Sequence, residues 1–224
     1  MLLYFRLDIL QMIIALARGV ATGKPLAEPD ARLGLMIVAA SVPAALVGAL
    51  FDKRIEVAFH AEAASKASLA IIASALIVMG LLLAVAERVA VHRREMQDVR
   101  FRDALIIGVA QSFALIPGVS RSGSTLTTGL FLGLRRETAA RFSFLLSLPI
   151  TGGAVLKKLY DLAKEGGLVA DERLPFLIGI LTSGLVGYAC IAWLLRYLQH
   201  FTTTIFTVYR VGLGLFILLL LVIR

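Results

Sequence analysis

The chain has 224 residues, of which 59% are hydrophobic and 17% charged, and it carries a formal net charge of +8. Soluble domains are roughly 25% charged, and here the apolar residues gather in long uncharged blocks; this excludes a disordered chain, a collagen, a disulfide scaffold and an ordinary soluble globule. The bases sit mostly in short segments between apolar blocks, where they meet anionic headgroups and not nucleic acid.

A bilayer core of ~30 Å is crossed by about 20 helical residues. The chain opens with apolar Met1–Phe5, interrupted by Arg6 and Asp8, then resumes over Ile9–Ala17. Ala15-Leu16-Ala17 resembles a signal cleavage site, but no net positive charge precedes it, so a helix entered partway is predicted. Leu33–Phe51 predicts a span kinked at Pro43, and Ala67–Ala86 is the cleanest span. Asp52–Lys66 reads as a connecting loop. Glu87–Arg102 holds Arg88, Arg93, Arg94, Arg100 and Arg102 and predicts a cytoplasmic loop. Phe142–Leu156 predicts a shorter span broken at Pro149 and Gly152–Gly153. Leu174–Leu195 opens with Pro175, and Thr202–Ile223 is interrupted by Arg210. None alternates with period two, so a barrel is excluded. The prediction is an all-α polytopic membrane bundle forming one domain over 1–224.

Between Ala104 and Leu134 the pattern changes. Ala104–Ser120 ends in Pro117–Gly118, and Ser122–Leu134 is too short to span. A helix, a Pro-Gly break and a second short helix predict a broken or re-entrant pair. Irregular backbone at membrane depth is tolerated only where protein or a wet cavity buries it. Pro117 and Gly118 stop the first helix, and Ser120 caps the second or serves a ligand. Gly118 and Gly123 permit close approach. A helix starting near Ser122 aims free N–H groups and its dipole at the break, which favours an anion. Arg121 adds a bidentate fork suited to phosphate, and Ser120, Ser122, Ser124 and Thr125 add hydroxyls. No carboxylate lies between Ala104 and Leu134 to neutralise Arg121. Arg210 either snorkels beside Tyr209 or makes a second phosphate contact. The stretch contains no His, Asp or Glu to act as a base, so the residues alone reach a membrane-embedded phosphate site and no further.

Other features read as structural. Gly129 and Gly133 predict helix packing. Cys190 predicts a small packing residue. His60, His92 and His200 form no metal-spaced cluster and are expected at interfaces, and no metal ligand is predicted. Glu87, Arg88 and Arg135-Arg136-Glu137 read as interface anchors.

The run Ala114-Leu115-Ile116-Pro117-Gly118-Val119-Ser120-Arg121-Ser122-Gly123-Ser124-Thr125 resembles a signature of the undecaprenyl-diphosphate phosphatases, also called bacitracin-resistance proteins. Ser41-Val42-Pro43-Ala44, Phe142–Pro149 and Tyr209-Arg210 are similar to that family as well. The resemblance implies hydrolysis of a polyprenyl diphosphate to the monophosphate, which recycles the carrier for cell-wall synthesis and confers bacitracin resistance. It implies a multi-pass protein of the bacterial inner (plasma) membrane, inverted repeats each with a re-entrant loop, and a divalent cation, Mg or Ca. By position, Arg121 and Ser120 are the expected catalytic residues. Gly118, Ser122, Gly123, Ser124, Thr125 and Arg210 are the expected phosphate-binding set. Family members open with a further segment carrying a Glu-x-x-x-Glu pair and a Ser-Ser-Thr-Gly-His run. The base, nucleophile and metal contacts are expected there, the first repeat is expected to be truncated, and the chain as written is expected to be inactive or unfolded, the full-length gene product being the phosphatase. An acid-phosphatase type of lipid phosphatase would place histidine and aspartate where Thr127 and Phe131 stand, and is rejected. A carrier-lipid transporter, or a lipid-binding remnant without turnover, would use the same cradle without hydrolysis. Oligomeric state is left open.

Overall fold

The computed structural model describes residues 1–24, 26–60, 66–165, 167 and 170–223. Eight α-helices occur among them: α1 (Arg6–Ala21), α2 (Pro29–His60), α3 (Lys66–Val89), α4 (Phe101–Ser112), α5 (Arg121–Phe131), α6 (Arg136–Lys164), α7 (Ala170–His200) and α8 (Thr204–Ile223). Five of them, α2, α3, α6, α7 and α8, contain segments long and apolar enough to cross a membrane. The protein is therefore an all-α, multi-pass membrane bundle. Its outward faces are apolar, as a lipid solvent requires, with Leu185, Val186 and Leu219 among many exposed aliphatic side chains.

Helix association inside a bilayer depends on close packing and not on the hydrophobic effect, so small residues mark the contacts. The most extensive contact is α3 with α8: a Cβ at Gly214 would lie 2.8 Å from the Ala73 carbonyl oxygen, and one at Gly80 2.8 Å from Val211. At the α2–α4 crossing a Cβ on Gly108 would overlap the Ala40 backbone. Buried Phe142, Leu145 and Leu146 of α6 pack with Leu130, Ile107 and Phe5 to form the core.

Two expected interruptions are absent. Helix α6 runs through Pro149 and Gly152–Gly153, and α2, which holds Pro43 inside it, continues past Phe51 to His60. A proline removes one hydrogen bond, which a long helix flanked by others withstands in a membrane. The expected loop at 52–66 is thus helical to His60, and 61–65 lie outside the described residues. Cys190 faces outward instead of packing inside. Of the glycine pair, Gly129 packs as expected, since a Cβ there would lie 2.9 Å from the Cβ of Ala139. Gly133 instead adopts φ +81° and ends α5. Gly133 N–H donates to Leu130 O and Leu134 N–H to Gly129 O, the paired bonds of a left-handed helix terminus.

Candidate functional site

The predicted break lies between α4 and α5. After Ser112 the chain makes one 3₁₀ turn, Phe113–Leu115, and Ile116 is extended with φ −75° and ψ 121°. Pro117 enforces that geometry, because its ring disfavours helical backbone in the residue before it. Gly118 follows at φ +92°, pressed on α3: a Cβ there would lie 2.5 Å from the Ile72 carbonyl oxygen and 3.1 Å from the Ala75 Cβ. No other residue type fits. Ser120 also has positive φ, +67°, which is uncommon for a side chain with a Cβ and costs roughly 1–3 kcal/mol. Its hydroxyl accepts from Gly123 N–H at 3.2 Å and so caps α5. The predicted cap is present, and α5 begins at Arg121, one residue before its predicted start.

Arg210 comes to this loop from α8. It is 9% exposed, whereas neighbouring Tyr209 is 68% exposed. Snorkelling is therefore not its role. Nη2 donates to Gly118 O and to Val119 O, each at 2.8 Å. Nη1 lies where a methyl on Gly123 would be, so that glycine makes room for the guanidinium. Nε is buried and has no partner among the described residues. A buried cation held by carbonyls, with no carboxylate bonded to it, carries charge available to an anion.

A cavity of about 320 Å³ opens beside this loop. Ser120, Ser122, Gly123, Ser143 and Arg210 give it a polar corner; Leu76, Leu83, Leu126, Phe144, Leu194 and Phe206 give it apolar walls. The structure thus brings together four of the residues singled out in the sequence: Ser120, Ser122, Gly123 and Arg210. Arg121, the first residue of α5, is exposed between two lining residues in sequence. Ser124 and Thr125 are buried, and their hydroxyls donate to Arg121 O at 3.0 and 2.9 Å. Thr125 also bonds Ser143 of α6 at 2.5 Å. In this arrangement both brace the helix start, while Gly118 braces the loop against α3. Ser143 was missed as a site residue; its signal was its place in the similar stretch Phe142–Pro149.

The basic segment after α3 is not a free loop. Arg93 and Arg94 N–H donate to Gly133 O, and Arg135 N–H to Arg94 O. Arg94 also pairs with Asp103 and donates to Leu132 O at 2.8 Å. Burial acts to raise the Asp103 carboxyl, but hydrogen bonds from Arg94 and the Arg100 N–H, with both positive charges, outweigh it and hold the group below the usual carboxylate range. Glu87 accepts from Arg136 of α6 and from Thr203 N–H and Oγ1 at the start of α8. Of the expected interface anchors, Glu87 and Arg136 are therefore partners in one ion-paired knot joining α3, α6 and α8, while Arg135 pairs with Glu95 and Glu137 accepts from Gln199. His92 is drawn into it, 3.0 Å from Glu87 O.

No group of three or more His, Cys, Asp or Glu side chains is placed to hold a metal among the described residues. The cavity's donors are neutral hydroxyls beside a guanidinium, a set that repels a cation and offers it no anionic ligand. The divalent cation implied by the resemblance does not fit these residues.

Fold and cavity together define a multi-pass membrane protein with a cavity that is polar and cationic at one end and apolar along its walls. The family model for the bacitracin resistance protein BacA matches residues 1–216. The undecaprenyl-diphosphatase of Anaeromyxobacter dehalogenans is 46% identical over 213 residues, covering 95% of this chain and 70% of the relative. The undecaprenyl-diphosphatase of Thermomicrobium roseum is 41% identical over 218 residues (97% and 78%), and that of Chlorobium chlorochromatii 44% over 224 (97% and 77%). The chain belongs to the bacitracin resistance protein BacA family.

Proposed function

We propose that this protein is an undecaprenyl-diphosphate phosphatase. It hydrolyses undecaprenyl diphosphate to undecaprenyl phosphate and inorganic phosphate, returning the carrier lipid to cell-wall synthesis and so giving bacitracin resistance. Its place is the bacterial inner membrane, where both the lipid and the cell-wall machinery reside. The observation that carries this reading is the junction, in one cavity, of Arg210 and the α5 N-terminus with apolar walls. Curated relatives of this similarity are named as diphosphatases, which favours turnover over transport by the same cradle.

In the reaction the terminal phosphorus is attacked and the bridging P–O bond breaks, either by a water oxygen directly or by a hydroxyl oxygen whose phosphoryl ester a water then hydrolyses to free phosphate. Undecaprenyl phosphate leaves, and the water's proton passes to a base. The chain's residues act on charge. Arg210 meets the diphosphate, and the N–H groups opening α5 face its terminal oxygens. Arg121 supplies the planar fork for the transferring phosphoryl group. Ser120 and Ser122 donate hydrogen bonds. The lipid tail follows the Leu76, Leu83 and Phe206 wall toward the bilayer. No carboxylate or imidazole lines the cavity among the described residues, so these side chains account for binding and charge stabilisation and not for proton transfer.

The test is phosphate release from undecaprenyl diphosphate in detergent, by the 224-residue chain and by the protein extended upstream of Met1, with magnesium, with calcium and with chelator. Arg121→Lys should lower turnover at least ~100-fold while leaving the protein folded. Near-normal turnover in that variant would remove Arg121 from the mechanism. Lipid binding by the wild type with no phosphate release in any condition would overturn the phosphatase reading.

A further inference from the structure

A second polar cavity, of about 800 Å³, lies between the starts of α1 and α6 and the last turns of α7. Its lining includes Arg6, Arg141 and Arg196, with Asp8, Glu137 and Tyr188. The charges are not balanced. Arg141 pairs with Asp8, and Glu137 accepts from Gln199 at 2.8 Å. Arg6 and Arg196 have no hydrogen-bond or ion-pair partner among the described residues, and both are exposed. The cavity therefore presents two free guanidinium groups.

Its depth is informative. Arg196 lies four residues before His200, the end of α7, hence about 6 Å along the axis at 1.5 Å per residue. Arg141 is five residues after the start of α6, so it lies at a similar depth. That is headgroup depth and not hydrocarbon depth. Tyr188, which meets Tyr4 edge-on at 5.3 Å, sits at the inner margin with exposed Leu3 and Leu7 close by in the chain. The end of the bundle is the one tied by Glu87, Arg136 and Thr203, next to the arginine-rich segment after α3. Positive charge concentrated at one end faces the anionic leaflet.

We infer that the α1–α6–α7 cavity is a binding site for the phosphate headgroup of an anionic phospholipid, held by Arg6 and Arg196 with its acyl chains along the exposed leucines of α1. This site is separate from the Ser120–Arg210 cavity and does not depend on the phosphatase reading. Electrostatics alone would take any anion; the flanking apolar surface is what selects a lipid over free phosphate.

The protein carries its own reporter. Trp193, its single tryptophan, is one turn from Arg196 on α7 and is exposed. The protein is reconstituted in phosphatidylcholine vesicles, and Trp193 quenching is titrated with dibrominated phosphatidylglycerol or dibrominated phosphatidylcholine. The wild type should prefer the glycerol lipid about tenfold or more, at roughly 1 kcal/mol per interfacial arginine. In Arg6→Gln/Arg196→Gln the preference should fall toward unity, while phosphate release in phosphatidylcholine micelles stays at the wild-type level. Millimolar inorganic phosphate should not displace the brominated lipid. Equal quenching by both lipids in the wild type, or an undiminished preference in the double variant, would overturn the site. Displacement by inorganic phosphate would also overturn the lipid assignment and make this a free-anion site.

Discussion

Arg136 is half-buried and Arg210 buried in this bundle, and the two are held in opposite ways. Arg136 ends in the carboxylate of Glu87, which also takes two hydrogen bonds from Thr203. Arg210 ends on the carbonyls of Gly118 and Val119, with Nε unpaired among the described residues and no carboxylate bonded to the guanidinium. One guanidinium completes a structural knot; the other is left electrically incomplete beside a cavity. The backbone follows the same division, since the loop under Arg210 tolerates Ser120 at φ +67°. Strain and unbalanced charge persist where a ligand completes the arrangement, and paired charge marks where it is already complete.

The largest effect should come from the most constrained atom of the loop. Gly118→Ala places a methyl on the Ile72 carbonyl and forces positive φ on a residue with a Cβ. It is expected to cost roughly 3 kcal/mol or more, and with it nearly all turnover, read as a lowered Tm in detergent and lost phosphate release. A variant with normal melting would show the loop to be softer than its packing. Next is Arg136→Met, which leaves Glu87 without its cation; a loss of roughly 2–3 kcal/mol is expected from the partly exposed pair, with turnover per folded molecule preserved. The comparison sharpens at Ser120. Ser120→Ala should lose about 1 kcal/mol with the cap, whereas Ser120→Gly relieves positive φ and should melt near the wild type. Both lose the hydroxyl, so both should lose activity; retained activity in either would confine Ser120 to capping.

The smallest effect is a pH dependence at Asp103. Its folded carboxyl is held below the ordinary 3.8, so its contribution to stability is fully present above that value. The contribution is lost as pH falls below 3.8 and through the folded value. Asp103→Asn should flatten that acid limb in Tm-versus-pH measurements and leave neutral turnover unchanged. An acid limb identical to the wild type would place the linkage elsewhere.

Much of this was readable in the amino acids. Long apolar blocks marked the spans, because a helix in lipid must satisfy its own backbone. Pro117-Gly118 marked the break, since neither residue continues a helix. Ser120 marked the cap, and the same short stretch marked one wall of the site. What was not readable depended on distance in sequence. Arg136 and Glu87 are 49 residues apart, and each alone looks like a surface anchor. The inward turn of Arg210 needs the space that Gly123 leaves for its guanidinium, which no local pattern around Arg210 records. Pro149 misled for a related reason: a helix-breaker's effect is set by the neighbours that support the helix, and those are tertiary.

The central claim is that charge at the cavity serves the ligand and charge at the knot serves the fold. Measuring Tm and phosphate release together for Arg210→Met and Arg136→Met tests it most directly. The account predicts that Arg210→Met loses at least ~100-fold in turnover and no more than about 1–2 kcal/mol of stability, while Arg136→Met loses stability and keeps its turnover per folded molecule. Normal turnover in Arg210→Met, or a specific turnover defect in well-folded Arg136→Met, would contradict it.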